Sequence, residues 1–83
     1  MTKSEVCKKV NDGRTLVYYL LKEDEGASPY GVSVLNEESG EEVMIRRLSN
    51  DRERIERLLD LLATYFITPG SLESVAYQWL AEI

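Results

Sequence analysis

The run Leu16-Val17-Tyr18-Tyr19-Leu20-Leu21 constrains this chain more than any other stretch. In an extended strand, successive side chains point to opposite faces, so the run delivers apolar groups to both sides of any sheet that contains it. One side can rest on helices supplied later in the chain. The other needs a cover of its own: a partner chain, a flap or a curled terminus. The run therefore bears on assembly before it bears on activity.

The segments around it read as further short strands. Residues 3–10 hold Val6 and Val10 on one parity and Cys7 on the other, and Asp12-Gly13 then marks a tight primed turn, because both residue types accept positive φ. That turn centre sets Cys7 opposite Tyr18 and Val6 opposite Tyr19. Residues 30–36 alternate, with Tyr30, Val32 and Val34 on one side and Gly31 and Ser33 on the other. Gly31 leaves room there for a close approach of backbone or of a large side chain. Asn36 to Glu41 is a second polar turn, and residues 42–48 follow as a strand with Val43 and Ile45 on one parity and Met44 on the other. Strands at 3–10, 15–22, 30–36 and 42–48 joined by short polar loops require antiparallel pairing, since a parallel connection needs a longer crossover.

At Asn50 the apolar period lengthens from two to three and four. Asn50 with Glu53 has the spacing of a capping box, and Ile55, Leu58, Leu59, Leu62 and Phe66 recur along one helical face over residues 51–66. Thr68-Pro69 opens a second helix over 69–82, with Pro at the first helical position, where a missing N–H costs nothing. Its stripe is Leu72, Val75, Ala76, Trp79, Leu80 and Ile83. The fold expected is α+β: a four-stranded antiparallel meander followed by two helices packed on one face, in a single domain of residues 1–83. With Val6, Val17, Tyr19, Leu21, Val32, Val34 and Met44 assigned to the core on the helical side, Leu16, Tyr18 and Leu20 fall on the uncovered face and are the candidate interface.

Composition removes most chemistry. The chain has no histidine and a single cysteine, Cys7, which excludes an imidazole base, a thiolate zinc site and an internal disulfide. The carboxylate pairs Glu37/Glu38 and Glu41/Glu42 lie at a turn, where water keeps both ionised. The acidic triplet Glu23-Asp24-Glu25 fits no calcium-loop spacing, and the glycines form no phosphate-cradling motif. No catalytic residue, cofactor or metal is expected, and the chain is read as a non-enzyme. No apolar run is long enough to span a membrane and no secretion signal opens the chain, so a cytoplasmic location is expected.

A formal charge of −5 disfavours a polyanion as partner. Against that stand Arg46, Arg47, Arg52, Arg54 and Arg57, which straddle the last strand and the first helix and form the candidate anion-binding set. Asp51, Glu53 and Glu56 interleave with them. The leading expectation is a non-enzymatic interaction module, self-associating as a homodimer through the uncovered sheet face or meeting another protein there. The alternative is binding of nucleic acid or a phosphate-bearing ligand by the arginines.

The run from Leu16 to Glu23, then Tyr30-Gly31-Val32, the polar Ser49-Asn50-Asp51 helix start and Thr68-Pro69 before Leu72-Glu73-Ser74-Val75 together resemble a small uncharacterised family of Firmicutes proteins from clostridial relatives. The resemblance covers most of the chain. It implies a bacterial cytoplasmic protein of unknown function and brings no catalytic or ligand residue with it.

Overall fold

A computed structural model describes residues 1–81 and places four strands, β1 (Thr2–Asn11), β2 (Arg14–Lys22), β3 (Tyr30–Asn36) and β4 (Glu42–Ser49), before two helices, α1 (Arg52–Thr64) and α2 (Pro69–Ala81). The strands form one antiparallel sheet in the order β1-β2-β3-β4. This is the meander expected, with both helices against the sheet. The end of the α2 stripe at Ile83, and Glu82 before it, lie outside the described residues.

The turns carry the chemistry their sequences advertise. Asp12 and Gly13 both have positive φ (54° and 75°), which makes a two-residue primed turn between Asn11 and Arg14. At the β3–β4 turn, Asn36 accepts from the backbone N–H groups of Glu38 and Ser39, while its own N–H donates to the Glu41 carbonyl.

Helix ends departed from expectation. The N-cap of α1 is Asp51, not Asn50: its carboxylate accepts from the Glu53 N–H at 3.0 Å, and Ser49 Oγ accepts from the Asp51 N–H. At the far end, the Ile67 N–H reaches the Leu62 carbonyl and the Phe66 N–H reaches Ala63, with Phe66 at φ 50°. That pair of bonds is a Schellman ending, in which Phe66 takes the left-handed position usually given to glycine. Pro69 opens α2 as expected.

Each face of β2 is closed in its own way. Leu16, Tyr18 and Leu20 form the helix-facing core with Val32, Val34, Ile45, the α1 residues Ile55, Leu58 and Leu62, and Leu72 and Ala76 of α2. This reverses the parity read from the sequence. Leu16, Tyr18 and Leu20, taken there as an interface, are buried beneath the helices within one chain and are not available to a partner. The β4 parity is reversed as well: Ile45 is buried and Met44 is exposed, and Val6, also assigned to the core, stands in water at the β1 bulge. Two bulges interrupt the outer strands. Val6 is an extra residue between Glu5 and Cys7, so Cys7 still meets Tyr18 while Glu5, not Val6, meets Tyr19. A second irregularity separates the Tyr30–Ser49 and Val32–Ile45 pairs.

Tyr18 links sheet to helix end. Its hydroxyl donates to the Ile67 carbonyl at 3.0 Å, and burial pushes its pKa up to about 12, so it stays a donor at any ordinary pH. Tyr18→Phe should cost about 1 kcal/mol of unfolding free energy in urea titrations, the net worth of one such bond, with the fold intact.

Candidate functional site

The sheet face turned away from the helices was the site indicated by the sequence. Cross-strand partners share a face, so this side carries Lys3, Glu5 and Lys8 of β1, Val17, Tyr19 and Leu21 of β2, Gly31, Ser33 and Leu35 of β3, and Glu42 and Met44 of β4. No element lies over it, yet Val17 and Leu21 are both 0% exposed. Their cover is the long polar side chains beside them. Lys3 sits 4.2 Å from the centre of the Tyr19 ring and pairs with Glu42, three strands across the sheet. The same Glu42 oxygen accepts from the buried Ser33 hydroxyl at 2.8 Å. Lys8 pairs with Glu37 at 3.0 Å, and Arg46 pairs with Glu23. Long charged side chains of this kind can lay their aliphatic stems along apolar neighbours while their heads pair in water. Water is excluded without a second chain.

Glu23 is the most enclosed carboxylate described, at 6% exposed. Arg46 donates to it from two nitrogens, and Arg47 lies 3.8 Å away. The Arg46 guanidinium holds the Glu23 carboxyl below its usual 4.5, against the opposing pull of near-burial. Lys3 does the same for Glu42. A depressed folded-state pKa contributes stability that is present above the unfolded value and disappears as pH falls through the folded one. Stability should therefore decline as pH drops below about 4.5, and a Glu23→Gln variant, less stable at neutral pH, should show a shallower decline. Urea midpoints across that range measure both.

The five arginines all have intramolecular partners. Arg46 and Arg47 meet Glu23, Arg52 lies 3.6 Å from Glu56, Arg57 lies 3.8 Å from Glu53, and Arg54 lies over the Trp79 ring at 5.4 Å. A phosphate at any of these positions competes with a group already in place. Among the described residues, no set of three or more His, Cys, Asp or Glu is placed to hold a metal ion, and no helix is long and apolar enough to cross a membrane.

One concave feature of the surface is a groove the sequence reading did not single out. It runs between β1 and α1 and encloses about 620 Å³. One wall is β1, through Val6, Cys7 and Lys9. The other is α1, through Glu53, Glu56, Arg57 and Asp60, with Leu59 and Ala63 adding apolar lining. It lies where α1 comes alongside β1, the edge strand, whose residues are almost wholly exposed. Val6 is 51% and Val10 71% exposed. The signal was present in the sequence: residues 3–10 have too few apolar groups for a covered strand.

A family model described as a family of unknown function, DUF6514, matches residues 1–82. The chain belongs to DUF6514. The match spans nearly the whole of it, as the resemblance to an uncharacterised family implied, and says nothing of lineage. No curated protein and no solved structure matches the DUF6514 chain. Its function must be argued from the groove and the edge themselves.

Proposed function

We propose that this DUF6514 chain is a non-enzymatic interaction module that docks a partner polypeptide along the groove between β1 and α1. The supporting observation is that the groove lies against an exposed edge strand carrying Val6 and Val10 in water. Apolar groups beside free backbone donors and acceptors suit a polypeptide better than a small metabolite. The sheet-face homodimer loses its motive, because the residues that called for a cover are already covered. The residue inventory, with no histidine and one cysteine, is the further support for a non-enzyme.

A photo-crosslinking residue placed at Val6 tests this reading, with Tyr77, also exposed but outside the groove, as control. Discrete adducts from position 6 and none from position 77 in cells expressing the chain are the expected result. Equal labelling from the two positions contradicts it.

A further inference from the structure

We infer that the occupant of this groove is an extended segment of a different polypeptide, which adds to the outer edge of β1 as a fifth strand and turns cationic side chains toward α1. This rests on the docking reading above and specifies its partner. Because β1 ends the sheet, half of its backbone N–H and C=O groups point away from β2, and among the described residues none of them bonds to another loop or strand. Proteins guard such edges with lysines. Here two of the three on β1 are drawn inward over the reverse face, Lys3 to Glu42 and Lys8 to Glu37, which leaves Lys9. The opposite edge is better guarded: β4 is bulged between its Ile45 and Ser49 pairs, with Arg47 there at φ 59°. On β1 the bulge at Val6 leaves Cys7 to Asn11 in unbroken register with β2, long enough for a short added strand.

The charge of the walls selects the occupant. The groove is lined by three carboxylates, Glu53, Glu56 and Asp60, against Arg57 and Lys9. Glu53 and Glu56 already face arginines, whereas Asp60 has no ionic partner among the described residues. A lysine or arginine on the α1 side of an added strand answers Asp60 and the acidic excess. A second copy of this chain fits poorly. Two-fold pairing of the regular segment about Lys8 sets Lys8 against Lys8, and pairing about Lys9 sets Lys9 against Lys9, both like-charge contacts across a strand pair.

The probes are three capped octapeptides: alternating Lys-Val, alternating Glu-Val, and Lys-Val carrying N-methyl groups on alternate residues to remove its edge donors. Backbone amide shifts and hydrogen exchange of the full chain are the readout. The Lys-Val peptide should shift and protect amides within Cys7 to Asn11 and shift those around Asp60. Its N-methylated and Glu-Val counterparts should bind weaker by about tenfold, and Asp60→Asn should weaken the Lys-Val complex about threefold. Equal binding of the N-methylated peptide, preference for Glu-Val, shifts elsewhere on the surface or no shifts at all overturn the proposal. Concentration-dependent shifts of β1 without peptide also overturn it, in favour of a second copy. Adducts at Val6 combined with silent peptides would defeat strand addition and leave docking standing, whereas silence in both experiments would defeat both.

Discussion

Gly31→Ala is expected to cost about 3 kcal/mol or more, a large share of the roughly 4–12 kcal/mol available to a domain of this length. A Cβ built on Gly31 would collide with the Ile45 carbonyl oxygen and lie 2.9 Å from the Arg46 Cα. Both contacts are backbone, so no rotamer change relieves them. Relief requires β4 to move away, and with it the bulge that aims Arg46 at Glu23 and keeps Ile45 in the core. Gly70 supplies the control. Nothing lies within 4 Å of its added Cβ, and it sits in the first turn of α2. Gly70→Ala should stabilise by up to about 1 kcal/mol through helix propensity alone. Urea titrations of the two variants should thus move in opposite directions. A Gly31→Ala midpoint near that of the parent would show that the close approach is absent.

Leu21→Ala is expected to cost about 2–5 kcal/mol, the ordinary range for a buried leucine, although no helix touches that face. Leu21 is 0% exposed because Lys3 and Gly31 flank it in register and the Lys3–Glu42 and Arg46–Glu23 pairs close over its surroundings. Deleting the side chain leaves a hole that charged neighbours fill badly. Val10→Ala, at a position open to water, should change stability by less than about 0.5 kcal/mol. If instead Leu21 were an interface residue of a homodimer, its truncation would alter sedimentation more than intrinsic stability. The account expects unchanged sedimentation and a lowered urea midpoint.

Much of the fold was legible because local signals agreed. The Asp12-Gly13 turn, the alternation from Tyr30 to Val34, the shift of period after Asn50 and the Thr68-Pro69 start each have one physical reading, and each appears in the structure. The choice of face was not legible. Leu16/Tyr18/Leu20 and Val17/Tyr19/Leu21 are equally apolar, so hydrophobicity along β2 cannot say which set meets the helices. The decision lies in whether Lys3, Lys8 and Arg46 have acids within reach, which depends on strands and turns distant in sequence. The helix ending at Phe66 was hidden for a related reason: a left-handed phenylalanine carries no glycine signal, and the core contact of its ring holds it there.

The candidate interface was placed on Leu16, Tyr18 and Leu20, which the helices bury. A doubly apolar strand was taken to need a second protein, whereas lysine, arginine and glutamate stems supply the cover. The groove beside β1 was legible only as a deficit, a strand with polar residues on both parities. The five arginines of the candidate anion-binding set, dense in sequence, each have an acid or an aromatic ring beside them, which their spacing along the chain did not reveal.

The central claim is that one chain seals both faces of β2 by itself. Equilibrium urea unfolding over about a hundredfold range of protein concentration tests it most directly. The account predicts one midpoint throughout. An apparent stability that rises by about 1.4 kcal/mol for each tenfold increase in concentration would reveal a dimer holding the sheet closed and would contradict it.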